Sequence, residues 1–236
     1  MRIFLAGATG VIGRRLVPLL VAAGHHVTGT TRSAEKAAAL TAAGAQPCVV
    51  DVYDAAALTQ AVVLARPDVV IHQLTDLPQV LDPAAMAQAL ARNARLRVEG
   101  TANLITAMLA AKASRLIVQS IAFAYAPGPE PHGEDDPLNA GGVSADAVVT
   151  MERMATATPG LAGLVLRYGR LYGPGTWAAR PDGKGFIHVD AAARAALLAV
   201  THGAPGVYNI AEDDGAVSIV KARTALGFDP AFRAAA

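Results

Sequence analysis

The chain has 236 residues and a formal net charge of +1, and it is 53% hydrophobic but only 5% aromatic. This length allows one large domain, or one domain with a small lobe, and the charge argues against nucleic acid and anionic membranes as partners. No apolar run reaches the ~18 residues of a membrane-spanning helix. The single cysteine, Cys48, excludes an internal disulfide and a cysteine-based metal site. We therefore expect no metal centre and a cytoplasmic location.

The N-terminal stretch carries the most informative motif. Residues 3–6 form an apolar run that indicates a buried strand rather than a signal peptide, and leucines recur at helical spacing from Leu16 until Gly24. Glycines between such a strand and helix bring a pyrophosphate to the helix N-terminus. The alternative, a glycine-rich turn that binds nothing, is disfavoured by this context. The predicted dinucleotide site comprises Gly7, Ala8, Thr9, Gly10, Val11, Ile12 and Gly13.

The end of the second predicted strand, residues 25–31, indicates which dinucleotide binds. In a doubly wound fold this position faces the adenosine ribose, where an acidic residue selects NAD. Here Thr31 is followed by Arg32 and Ser33, and Arg14 could assist. A threonine does not repel a 2′-phosphate and a guanidinium can clamp one. The sequence favours NADP(H) over NAD(H); the alternative is that Arg32 is an ordinary solvated loop residue.

The third predicted strand, residues 46–52, ends in an aspartate with two interpretations. Asp51 could hydrogen-bond the adenine amino group while Val52 packs on the ring. Asp51 could instead cap the next helix, a role that Asp54 would fill equally well. Both interpretations stay open from the sequence.

The fourth predicted strand, residues 69–75, should pass beside the cofactor. The backbone of Gln73, Leu74 and Thr75 is expected next to the ribose and pyrophosphate. His72 lies in an apolar run, so we interpret it as a hydrogen-bonded core histidine rather than a catalytic one.

The rest of the chain continues the alternation of helices and strands. A long helical pattern is followed by a fifth strand, a loop rich in Pro, Gly and acidic residues, another helix and a sixth strand. Five or six strands with helices between them predict an α/β fold, a Rossmann-like, doubly wound parallel sheet. The long helix is expected at residues 84–112, the fifth strand at 115–120 and the loop at 127–142. The next helix is expected at residues 144–157 and the sixth strand at 161–166.

Segments along nearly the whole chain resemble, in order, the extended short-chain dehydrogenase/reductase superfamily in its NAD-dependent epimerase/dehydratase branch. The resemblance implies a nicotinamide cofactor on an N-terminal Rossmann domain, a C-terminal lobe that closes over a small-molecule substrate, and homodimers formed through two long helices. The carrying segments are residues 7–13, 50–52, 100–104, 134–137, 166–175, 186–190 and 206–210.

On this resemblance we assign residues 1–166 to an NAD(P)-binding domain, with residues 186–200 packing back on it. Residues 167–185 and 201–236 form a small substrate lobe. Two connections in this region, between Gly185 and Phe186 and between Val217 and Ser218, are shorter than in the family pattern. Either the lobe is reduced, or the sequence lacks residues of mobile loops that order on ligand binding, and we favour the second explanation.

The family's proton-transfer residues are missing from their expected positions. The family pattern has a tyrosine acid/base, a lysine four residues later, a glutamate four beyond that, and a serine after strand five. Glu152 fits the glutamate, which puts Val148 at the lysine and Ser144 at the tyrosine. Counting from Tyr125 puts Ile121 at the serine.

Two functional hypotheses follow from this resemblance. The first is an NADP(H)-dependent oxidoreductase that acts on a carbonyl or hydroxyl group with a substitute acid/base, for which reduction is easier than oxidation. The second is a non-catalytic NADP(H)-binding sensor or scaffold. The candidate catalytic residues are Tyr168, Ser120, Tyr125 and Ser144, of which Tyr168 and Ser120 would also contact the cofactor. Arg97 stands where the family usually has an asparagine.

Overall fold

The structure, a computed structural model, describes residues 1–78, 80 and 82–234. Nine strands and the helices between them follow the alternation expected from the sequence. The strands are β1 Arg2–Ala6, β2 His26–Thr31, β3 Gln46–Val49, β4 Val69–His72, β5 Arg115–Ile121, β6 Ala162–Tyr168, β7 Arg170–Tyr172, β8 Phe186–His188 and β9 Gly206–Ile210. The helices are α1 Gly13–Ala22, α2 Ala34–Ala42, α3 Ala55–Ala65, α4 Pro83–Arg95, α5 Thr101–Ala110, α6 Val143–Ala157, α7 Val189–Leu198 and α8 Val220–Leu226, and a π-helical turn, Leu96–Gly100, joins α4 to α5.

Seven strands form one parallel sheet in the order β3-β2-β1-β4-β5-β6-β9. The order reverses beside β1, and in such sheets a ligand binds outside the carboxyl ends of the strands at this switch point. The topology confirms the predicted Rossmann-like, doubly wound α/β fold. The two short strands β7 and β8 pair separately from the main sheet.

Each face of the sheet is buried under its own helices, as the apolar strands require. On one face Leu5 and Ile71 lie in a core shared with α1 and α7; on the other, Phe4 and Val70 lie in a core shared with α3 and α5. Five alanines of α7 are fully buried and allow close packing. Within the described part of the chain, no helix is both long enough and apolar enough to cross a membrane.

Several elements differ in extent from the sequence expectation. β3 and β4 end three residues early, so that Asp51 and Thr75 lie in loops at the carboxyl edge. β6 continues to Tyr168 because it pairs with β5 on one side and β9 on the other up to that residue. Residues 206–210, assigned above to the substrate lobe, form the outer strand β9 of the main sheet.

Candidate functional site

The glycine turn after β1 lies at the switch point and is tightly packed beneath. Gly7 has φ +90°, and a side chain there would place Cβ 2.6 Å from the carbonyl oxygen of Gln73. A Cβ on Gly13 would collide with the backbone of Gly7 and Ala8. Gly10 is exposed, and a Cβ there would meet only the Gly7 carbonyl oxygen, at 3.3 Å. The turn therefore offers an open approach to the backbone at Gly10.

The start of α1 supplies the donors that an anion needs. The N–H groups of Val11, Ile12 and Gly13 donate to no backbone acceptor within residues 1–78, 80 and 82–234. The first turn of α1 has no acidic residue, and positive helix-dipole potential adds to these free donors. This part of the predicted site fits a pyrophosphate.

Two arginines follow the glycine turn and have different environments. Arg15 donates to Asp190 at 2.7 Å and to the Pro174 carbonyl at 2.6 Å, so it ties α1 to α7 and to the loop after β7. Arg14 is exposed and forms no ion pair with any residue that the structure describes. Its guanidinium is free to meet a phosphate.

The tip of β2 carries no carboxylate. Thr31 ends the strand, and its hydroxyl accepts a hydrogen bond from the Ser33 N–H at 3.1 Å, which shapes the turn. Arg32 between them is exposed, and no salt bridge to it occurs in the described chain. These residues would accept a 2′-phosphate without repulsion.

The two aspartates in the loop after β3, Asp51 and Asp54, have different roles. Asp54 caps α3 by accepting from the Ala57 N–H at 3.0 Å. Asp51 is exposed and accepts from the Tyr53 N–H at 3.0 Å, so its other oxygen remains available. Val52 is buried and its carbonyl accepts from Asn103, which places its side chain in the core beneath the site.

The segment after β4 runs along the glycine turn. Leu74 is half-buried and Thr75 is exposed. The ring of His72 is buried, with Nε2 3.1 Å from the Thr101 hydroxyl, and its Nδ1 accepts from the Leu74 N–H at 3.2 Å. Burial, with a smaller contribution from Arg97, lowers the pKa of His72 to about 4. The interpretation of His72 as a hydrogen-bonded core histidine is confirmed.

Tyr168, the first catalytic candidate, is 2% exposed at the end of β6. Its hydroxyl accepts from the Gln73 amide at 3.2 Å, and the amide oxygen of Gln73 has no partner within the described residues. If the Gln73 side-chain amide is flipped by 180°, the Tyr168 hydroxyl instead donates to its amide oxygen. Burial raises the pKa of Tyr168 far above its ordinary value, so the phenol stays neutral.

Ser120, the second candidate, belongs to a buried ion-pair cluster. β5 continues through Ile121, so the Ser120 side chain points into the helix layer, where it donates to Glu152 at 2.5 Å. Glu152 also accepts two hydrogen bonds from Arg167, at 3.0 and 2.7 Å. The hydroxyl of this serine is thereby directed at α6 rather than at the glycine turn.

Tyr125 and Ser144, the remaining candidates, are not brought together. Tyr125 donates to Asn209 at 2.7 Å, accepts from Arg167 at 2.9 Å and stacks on His132. Burial raises the pKa of Tyr125, with partial compensation by Arg167. Ser144 is half-buried in the first turn of α6.

For three side chains near this edge of the sheet, the sequence predicted no function. Arg97 lies on the π-helical turn and is partly buried. Trp177, the only tryptophan, is 45% exposed and donates to the Pro78 carbonyl at 3.0 Å, which links two loops. Phe123 is 46% exposed under the Arg170 guanidinium. Their exposure and contacts depend on long-range packing, and only the unusual arginine at position 97 left a signal in the sequence.

Comparison with known proteins agrees with this architecture. A model of the NAD dependent epimerase/dehydratase family matches residues 3–185. A relative from Streptomyces sp, 3-diazoavenalumate denitrifying reductase, is 43% identical over 242 aligned residues, covering 92% of this chain and 77% of the relative.

Solved structures share the fold at low identity. UDP-glucose 4-epimerase from Thermotoga maritima, solved with UDP-glucose, superposes with a TM-score of 0.82 at 20% identity and covers 99% of this chain and 94% of its own. The enzyme WbmG from Bordetella bronchiseptica, solved with NAD and UDP, gives a TM-score of 0.77 at 20% identity, covering 99% and 90%. At such identity the likeness shows the fold alone. From the family model and the reductase relative together, the chain belongs to the NAD-dependent epimerase/dehydratase family.

Proposed function

We propose that this chain is an NADP(H)-dependent reductase that removes a diazonium group from an aromatic small molecule as N2, without a protein proton donor. One observation carries the proposal: the hydroxyls of Tyr168 and Ser120 are buried and engaged in structural hydrogen bonds. The resemblance adds support, because it matches Ser144 and Val148 to the family's acid/base positions. A reaction that needs no proton transfer fits these residues.

The chemistry of the substrate decides whether a proton donor is needed. When bound, NADPH supplies a hydride. A carbonyl that accepts a hydride becomes an alkoxide, which needs a general acid. An aryl diazonium ion is already positive: the hydride pair forms the new C–H bond, the C–N bond pair leaves with N2, and no proton moves. The carbonyl substrate expected from the sequence is therefore less suited to this chain.

The residues that would hold the cofactor favour the phosphorylated form. The open backbone at Gly10 and the free N–H groups at the start of α1 suit the pyrophosphate. Arg14 and Arg32 are exposed and have no ion pair within the described residues, so both could contact a 2′-phosphate, and Thr31 offers no negative charge to repel it. We also propose a cytoplasmic location, consistent with the single, half-buried Cys48.

The Streptomyces relative supports the substrate class. Its name describes a reductase that acts on a diazo compound with loss of nitrogen, and its 43% identity extends along nearly the whole chain. The same arrangement could alternatively serve a sensor that binds NADP(H) without turnover.

The test is NADPH consumption with the purified protein and 4-carboxybenzenediazonium, corrected for the reaction without protein. We expect protein-dependent loss of nicotinamide absorbance with formation of benzoate. A parallel panel of aldehydes, ketones and nucleotide sugars should give no turnover. Turnover of a carbonyl but not of the diazonium ion would refute the proposal, and tight NADPH binding with no turnover at all would favour the sensor.

A further inference from the structure

Arg97 lies on a helix face that looks toward the segment after β4. Asn93, four residues before it, accepts from the Asp76 N–H at 3.0 Å, and Thr101, four residues after it, contacts His72 Nε2 at 3.1 Å. Side chains four apart lie on one face of a helix. Arg97 lies between these two contacts and close enough to His72 to help lower its pKa, so we place its side chain on the face toward the segment after β4.

The Arg97 guanidinium has no partner of its own. Within residues 1–78, 80 and 82–234 it makes no hydrogen bond and no ion pair. Glu152 acts on it electrostatically but is already held by Arg167 and Ser120. The buried His72 ring, whose pKa is lowered by burial and by the Arg97 charge, offers no negative charge to the guanidinium.

A partly buried guanidinium without a hydrogen-bonded carboxylate is costly unless a ligand supplies a partner. Burial lowers the pKa of Arg97, with partial compensation from Glu152, but an arginine remains protonated at any physiological pH. It also sits on a π-helical turn, a distortion that often occurs at functional sites. These observations point to an anion.

We propose that Arg97 binds the carboxylate of an aromatic acid and thereby anchors the substrate at the carboxyl edge of β4. The planar fork of a guanidinium matches a carboxylate through two parallel hydrogen bonds. The inference deepens the proposed function and rests on it for the identity of the reacting group. With this anchor, the substrate class becomes an aromatic carboxylate that carries a diazonium group.

The experiment measures binding without turnover, by calorimetry on the protein saturated with NADP+. Cinnamate is the probe and cinnamamide its uncharged counterpart. Arg97→Gln should weaken cinnamate binding by about 10- to 100-fold, leaving cinnamamide and NADP+ binding unchanged. Arg97→Lys should retain part of the cinnamate affinity. Arg95, two positions before Arg97, is exposed and paired with Glu99. Arg95→Gln should therefore leave cinnamate affinity unchanged.

Three outcomes would overturn the assignment: wild-type protein that binds no cinnamate, equal cinnamate affinity in Arg97→Gln, or a loss of NADP+ affinity as large as the loss for cinnamate. If Arg97→Gln does not fold, Arg97→Lys decides, because a carboxylate anchor predicts weakened but measurable cinnamate binding with normal NADP+ affinity. A protein that binds cinnamate through Arg97 but reduces no diazonium ion would refute only the proposed function.

Discussion

The Glu152 carboxylate is held by Arg167 through hydrogen bonds of 3.0 and 2.7 Å, and both side chains are nearly inaccessible to solvent. The pair joins α6 to β6, and Ser120 adds a link to β5. Arg167 also donates to the Glu134 carbonyl at 3.0 Å, which fixes the loop after β5. Glu152, which the sequence resemblance matches to the glutamate of the family pattern, therefore acts here as a structural clamp.

Breaking this clamp should lower stability strongly. Glu152→Gln leaves the buried Arg167 charge uncompensated, so we expect a loss of about 3 kcal/mol in the free energy of unfolding. Urea denaturation followed by circular dichroism measures it. Ser144→Ala, on the same helix but without a partner in the cluster, should change stability by less than about 0.5 kcal/mol. Equal effects of the two substitutions would contradict the role of the clamp.

Removing the buried hydroxyls should cost stability but not turnover. Ser120→Ala and Tyr168→Phe each delete one buried hydrogen bond, worth about 1 kcal/mol. With the diazonium substrate we expect kcat to stay within about threefold of the wild type, since neither group transfers a proton. A fall in kcat of about 100-fold with unchanged NADPH affinity would show that the affected hydroxyl takes part in catalysis.

The free energy of unfolding should fall as the pH drops from 7 to 5. Burial holds the pKa of His72 at about 4 in the folded protein, against about 6.5 when unfolded. Between these values the unfolded state binds a proton that the folded state does not, so acid favours unfolding. From this group alone we expect a loss of about 2 kcal/mol between pH 7 and pH 5.

The matched variant for this prediction is His72→Asn, whose side chain does not titrate. Its stability should depend less on pH over the same interval by about 2 kcal/mol, whatever its absolute value. Unfolding curves of the two proteins at both pH values provide the comparison. An identical pH dependence would mean that His72 is not the responsible group.

Arg32→Ala should separate the two dinucleotides. The exposed guanidinium would bind the 2′-phosphate of NADPH, a group that NADH lacks. We expect NADPH to bind about tenfold more weakly and NADH to bind almost as before. Fluorescence titration of both cofactors gives the ratio. Lys36→Ala, which removes an exposed charge from α2, is the control, and an equal loss for both cofactors in Arg32→Ala would refute the NADP preference.

Local patterns were sufficient to predict the sheet and the glycine turn. The apolar run before Gly7 and the helical spacing after Gly13 depend only on neighbouring residues, and parallel topology follows from the alternation of strands and helices. The partners of the candidate hydroxyls could not be predicted in this way. Ser120 meets Glu152 across 32 positions and Tyr168 meets Gln73 across 95, so their burial and hydrogen bonding depend on the packed structure. The isolation of the Arg97 charge has the same origin.

The most direct test of the account follows the hydrogen that replaces the diazonium group. The protein is supplied with 4-carboxybenzenediazonium and with NADPH that carries deuterium at both C4 positions, in ordinary water, and the benzoate is analysed by mass spectrometry. Hydride transfer without a protein proton donor predicts one deuterium on the ring of each benzoate formed by the protein. Benzoate without deuterium, or deuterium that enters from heavy water when unlabelled NADPH is used, would contradict it.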